Sequence, residues 1–162
     1  MKDLLDKLSS YNIFNYLFPG ILFAIFVDSM TSFHVVQKNL VIGVFLYYFL
    51  GSVVSRVGSL FVEPLLRKSN LVDFAPYDDF VQASKVDQKI ELLSEVNNMY
   101  RTLCALMVSV GAVVLYARAA NYYPPLRTAL PWVLIIGLFA LYLLSYRKQT
   151  AYIVKRIKVN IK

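Results

Sequence analysis

Four long apolar stretches divide the chain, with polar segments between them. The first runs from Ile13 to about Val27, with a weaker extension to Val36. The second covers Leu40 to about Val62, the third Leu103 to about Tyr116, and the fourth Pro131 to about Tyr146. A membrane-spanning helix needs about 20 mainly apolar residues at 1.5 Å of rise each. The second and fourth runs meet that length almost unaided. The third reaches it once Met99 and Tyr100 before it, and Ala119 and Ala120 after it, are included.

Composition agrees with the pattern. Apolar residues make up 58% of the chain, against about 45–50% in soluble domains, and mean hydropathy is +0.55. A globule of 162 residues leaves too much surface exposed to hide that excess. The expected fold is an all-α integral membrane protein, a single four-helix domain over 1–162, with a middle link at 64–100 and a basic tail at 147–162.

The first run carries a Pro19-Gly20 pair inside it and Asp28 near its end. A secretory signal would need a basic start and a small-residue cleavage site. Here the opening "MKDLLDKLSS" balances its acids and bases, and Val27-Asp28-Ser29 is a poor cleavage sequence, so the segment reads as retained. Membrane helices tolerate proline because neighbours satisfy the freed carbonyls. Pro19 removes an N–H and disfavours α geometry at Phe18, which predicts a bend there, a hinge or a fixed kink. Before it, Leu4, Leu5 and Leu8 share a face, so Asp3 to Leu17 reads as an amphipathic lead-in.

Charge sets the expected orientation. Lys2, Lys7, Arg67, Lys68, Lys85, Lys89, Arg101, Arg147, Lys148, Lys155, Arg156, Lys158 and Lys162 fall on the side of the two tails and the middle link. Only Lys38, Arg118 and Arg127 fall on the other. The positive-inside rule then places both termini and the middle link of this multi-pass protein in the cytoplasm. The formal charge of +7 needs no nucleic acid to explain it. The tail "YRKQTAYIVKRIKVNIK" contains no acid and suits anionic membrane lipid. Its Lys155, Arg156 and Lys158 also suit an acidic partner.

The two outer links are each about a dozen residues, the second being "NYYPPLRTALPW". The middle link is the one sizeable polar piece. "LVDFAPYDDF" reads as irregular around Pro76. Ser84 then reads as an N-cap, with Asp87 completing a capping box. A helix continuous from Lys85 to about Ala120 would project about 20–25 Å beyond the membrane. Val86, Ile90 and Leu93, with Leu92, Val96 and Met99 beside them, form an apolar stripe on it. Such a stripe needs the lower end of span two, a second copy of the chain or another protein to cover it. Asp78, Asp79, Glu91 and Glu95 make this link acidic, a second candidate docking surface. Asp78-Asp79 has no further carboxylate at a ligand spacing, so it reads as a solvated loop.

Within span two, Gly51, Ser55 and Ser59 recur every fourth residue with Gly58 beside them. Small residues at that spacing allow close helix approach and oligomer packing. Ser109, Gly111 and Ala112 on span three are the expected facing surface. Arg56 is the one basic residue well inside a span, and Glu63, seven residues on, is its expected partner. An intramembrane charge is a functional candidate; Arg56 reads either as a snorkelling anchor or as a gating residue. Asp28 and His34 are candidates for sensing at the outer surface. Cys104, the one cysteine, reads as a small buried hydrophobe.

No nucleophile–base pair, phosphate loop or metal-ligand spacing is present. The expectation is a non-enzyme without cofactor or metal. Three readings follow: a sensor and scaffold, a pore-forming effector, and a small transporter. The near absence of polar residues inside the spans weighs against the last.

Four short spans, a soluble link between spans two and three, and the opening "YNIFNYLFPGILF" (Tyr11 to Phe23) together resemble the KwaA family, the membrane subunits of Kiwa antiphage defence systems. The resemblance implies a homo-oligomer, a tetramer, that senses phage attack at the inner membrane. It also implies a cytoplasmic DNA-binding partner of the KwaB type, so that the membrane chain itself need not touch nucleic acid.

Overall fold

The computed structural model describes residues 13–161. The expected lead-in before Ile13, with Lys2 and Lys7, and the terminal Lys162 lie outside the described residues. Every regular element among the described residues is helical. A π-helical turn, Ile13–Leu17, leads into α1, Phe18–Met30. Helix α2, Leu40–Val57, continues through a second π-turn, Gly58–Val62, into α3, Glu63–Lys68. Helix α4, Tyr77–Val86, precedes two long helices, α5 at Lys89–Tyr122 and α6 at Pro125–Ile161. Four helical segments are long and apolar enough to cross a membrane: Ile13–Met30, Leu40–Lys68, Lys89–Tyr122 and Pro125–Ile161. The chain is thus an all-α, multi-pass membrane protein.

Helix boundaries follow local chemistry. Asn39 starts α2 by accepting hydrogen bonds from the N–H groups of Val41 and Ile42 at 3.0 and 3.2 Å, as an N-cap should. Helix α3 ends with Asn70 at a φ of 56°, a conformation asparagine tolerates. Asn70 N–H donates to Arg67 O and Leu71 N–H to Leu66 O, each at 3.1 Å. Those bonds satisfy the last carbonyls of the helix.

Three boundaries differ from the sequence expectation. The stretch read as irregular around Asp78 and Asp79 is helical, and Ser84 lies inside α4, donating to Val81 O at 3.2 Å. Pro76 sits just before α4, and the two aspartates occupy its first turn, where a carboxylate favours the helix dipole. The cap lies three residues further on: Asp87 is extended, and its carboxylate accepts from Lys89 N–H at 2.9 Å. The long projecting helix is therefore split at Asp87. Second, α5 and α6 run so far toward each other that only Tyr123 and Pro124 connect them. Arg127 clasps this hairpin through Asn121 Oδ1 at 2.6 Å, and Tyr116 O–H donates to Leu126 O. Third, Phe18 does not leave α geometry before Pro19 but opens α1. The irregularity is the π-turn before it.

Span two is the hub. Gly20 of α1 and Gly51 of α2 lie backbone to backbone. A Cβ on Gly20 would fall 1.7 Å from Tyr47 O, and one on Gly51 would fall 1.7 Å from Tyr16 O. Further along, Gly58 meets Ala105 of α5, and Val54, Val62, Ala105, Leu106 and Val110 form the apolar core. The small-residue face is thus used within the chain, against α1 and α5. Of the expected facing residues, Ser109 is half-buried with its Oγ enclosed, but nothing lies within 4 Å of a Cβ on Gly111 and Ala112 is exposed. The contact falls nearly two turns earlier, at Thr102, Ala105 and Leu106. Cys104 is exposed rather than buried, on the side of α5 turned away from this contact. Span four is the most peripheral, with 11% of its apolar window buried against 28% for span one. It touches α2 through Tyr142, whose O–H lies 3.0 Å from Ser52 Oγ and whose ring stacks on Phe49.

Candidate functional site

A polar cluster forms where span two ends, span three begins and span four leaves the apolar core. Its origin lies in the backbone of span two. Glu63 N–H donates to Gly58 O, five residues back. In an α-helix that N–H would go to Ser59 O. The next residue is Pro64, which has no N–H to offer. Ser59 O therefore loses both its α-helical and its π-helical donor. Lys148, from α6, replaces them: its Nζ donates to Ser59 O at 2.6 Å and to Ser59 Oγ at 2.8 Å.

The same π-turn sets the charge pairing. Glu63 is buried, and its partners are Arg101 of α5, at 2.7 Å, and Lys148, at 3.5 Å. It does not pair with Arg56, the partner expected from seven-residue spacing. A π-turn inserts an extra residue, which rotates all that follows by about 100° relative to an unbroken helix. Glu63 is turned from the face of Arg56 toward α5 and α6. Beside it, Thr102 O–H donates to Asn98 O at 2.8 Å, and its Oγ1 lies 3.4 Å from Ser55 Oγ. Ser55 and Ser59, read as packing residues, thus also carry polar contacts.

Above the cluster a cavity of about 410 Å³ opens, its lining almost wholly polar and including Arg56, Arg101, Lys148, Asn98, Gln149 and Tyr152. In the sequence, Arg101 and Lys148 count only toward the charge bias that sets orientation. Their positions 38 and 85 residues beyond Glu63 leave no local spacing to read. The one signal available was the Glu63-Pro64 dipeptide within an apolar run.

Comparison with protein-family models, curated proteins and solved structures finds no match to this chain.

The remaining predicted sites fall in three places. Asp28 organises the loop after α1: its Oδ1 accepts from Val35 N–H at 2.9 Å and Val36 N–H at 3.3 Å, and His34 Nδ1 lies 4.0 Å from it. Tyr47 O–H accepts from Gln37 N–H at 2.9 Å, tying the same loop to α2. Asp28 and His34 are therefore brought together. Pro19 and Gly20 are both buried at the crossing with Gly51. At the opposite end, Asp78 of α4 shares a groove with Lys155, Lys158, Val159 and Ile161 of α6, and Tyr77 packs on Tyr152 with ring centres 5.7 Å apart. Parts of the acidic and basic docking strips thus face each other within one chain. Asp79, Glu91 and Arg156 are solvent-accessible, and Glu95 is half-buried. Among the described residues no three His, Cys, Asp or Glu side chains converge as a metal site would require.

Proposed function

We propose that this chain is a membrane-embedded sensor and scaffold of a bacterial antiphage complex, oligomeric in the inner membrane and recruiting a cytoplasmic effector. The observation that carries the scaffold part is the leading segment of α5. Leu92 and Leu93 are 60% and 66% exposed, on a stretch that also bears Lys89, Glu91 and Glu95. Those charges suit water, not lipid, whereas a paired leucine face in water marks a protein contact. Span two does not cover this face, so a second copy or another protein remains to do so. The antiphage part rests on the resemblance of Tyr11 to Phe23 and of the four-span layout to Kiwa membrane subunits. Positive-inside charge supports the cytoplasmic placement of the link and tail.

The test is purification in detergent with and without Leu92→Asn/Leu93→Asn. A homo-oligomer with a cytoplasmic protein bound, lost in the double variant while membrane insertion persists, is the expected result. A monodisperse monomer without companion protein would remove the scaffold reading. Depolarisation of cells expressing the chain alone would favour a pore-forming effector instead.

A further inference from the structure

The polar cavity carries more positive charge than the fold neutralises. Arg56, Arg101 and Lys148 line it. Among the described residues Glu63 is the one carboxylate in ion-pair contact with any of them, and it engages Arg101 and Lys148. Arg56 makes no ion pair with any described residue. Arg101 donates to Glu63 through one terminal nitrogen, while its Nε is buried without a hydrogen-bond partner. A buried donor left unmatched costs about 1–3 kcal/mol, more when it is charged. Two guanidinium groups with unused donors, beside the neutral amides of Asn98 and Gln149, form a socket for an anion.

From this geometry we propose that the cavity binds a phosphate group, carried by an anionic lipid headgroup or free in solution. Guanidinium donors match phosphate oxygens in a paired, planar arrangement that a point charge cannot copy. The volume of about 410 Å³ falls within the ordinary range for small-ligand sites, about 300–1,000 Å³. The site lies where three spanning helices lose their apolar character, the depth at which basic pockets between helices meet headgroups. The anion completes what Glu63 only begins: it neutralises Arg56, the lining cation that Glu63 does not reach. This inference concerns the ligand of the cavity and stands independently of any partner protein.

The full chain, purified in an uncharged detergent, is titrated with short-chain phosphatidylglycerol, short-chain phosphatidylcholine and inorganic phosphate, with binding read by native mass spectrometry. Phosphatidylglycerol is expected to bind about tenfold tighter than phosphatidylcholine, and Arg56→Gln to weaken it about tenfold, the loss of one charged hydrogen-bonding partner. Lys38→Gln, an exposed charge on the loop after α1 and outside the cavity lining, leaves binding unchanged. Displacement of the lipid by inorganic phosphate, or Arg56-dependent binding of phosphate alone, assigns the site to the phosphate group itself. Arg56-dependent lipid binding that phosphate does not displace assigns it to the whole headgroup with its chains. If Arg56→Gln is not recovered folded, Arg56→Lys serves, with a partial loss expected because charge remains without the planar fork. Lipid binding indifferent to both Arg56 variants, with no Arg56-dependent binding of phosphate, overturns the proposal.

Discussion

The two π-turns among the described residues, Ile13–Leu17 and Gly58–Val62, each end two residues before a proline, Pro19 in one case and Pro64 in the other. The backbone problem is shared: a proline within an apolar helix removes a donor and strands carbonyls that lipid cannot satisfy. The surroundings differ. After the first turn comes Gly20, which lets span one press its backbone against Tyr47 and Gly51. Beside the second lie Glu63, Arg101 and Lys148, which supply charge and a donor for Ser59 O. One irregularity is absorbed by close packing and the other by a polar network. The cavity borders both turns, through Tyr16 of the first and Ser59 of the second, but the ion pairs lie beside the second. The charges beside the second turn, not the local signature that both turns share, mark the candidate site.

Removing the carboxylate from the second region should have the largest effect. Glu63→Leu leaves Arg101 and Lys148 facing each other without their counter-ion in a half-buried site. Breaking a buried ion pair from one side costs about 3–5 kcal/mol. The variant should show a markedly lower unfolding temperature in detergent and poor recovery. Wild-type stability for Glu63→Leu would mean that the cluster is solvated and contributes nothing.

Next in size are the glycines of the first region. Gly51→Ala drives a methyl group into Tyr16 O, a backbone atom that cannot swing aside. Overpacking a tight contact costs about 1–3 kcal/mol, and here the helices must separate. Gly111→Ala is the matched control, with no atom within reach of its Cβ. It should be neutral or slightly stabilising, since alanine favours helix by about 1 kcal/mol. Thermal unfolding of the two variants side by side tests whether the glycine pattern acts through contact or through composition. Equal shifts would contradict the crossing at Gly20 and Gly51.

The sequence made the four spanning helices legible because hydropathy is a local property, summed over about 20 neighbouring residues. It also marked the small-residue face of span two, because that face needs only four-residue spacing. The partner of that face was misplaced: Thr102 and Ala105, not Gly111 and Ala112, meet it. Small residues say that approach is allowed, not which register brings it about. The Arg56–Glu63 pairing failed for a related reason. Helical phase was extrapolated through a segment where a π-turn shifts it by one residue. The local pattern makes Ser84 a cap, yet burial of Val81 and Ser84 holds that stretch helical and moves the boundary to Asp87. Tertiary contact, absent from local pattern, decided each of these cases.

The finest test of the comparison asks whether Pro64 is the reason Lys148 is needed. With Pro64→Ala, residue 64 regains an N–H that can reach Ser59 O, five residues back, as a π-turn requires. Lys148→Met in the native chain strands Ser59 O and costs a charged hydrogen bond, about 1.5–3 kcal/mol. In the Pro64→Ala background the same change still weakens the Glu63 contact, but the carbonyl is no longer orphaned. The two substitutions should therefore be non-additive by about 1 kcal/mol, within the range for residues sharing one network. A double-mutant cycle on detergent unfolding measures that coupling directly. Strict additivity would show that Lys148 acts through Glu63 alone and that the proline imposes no demand on it. Coupling of the expected sign would tie the position of a span-four lysine to a missing N–H in span two, 84 positions away.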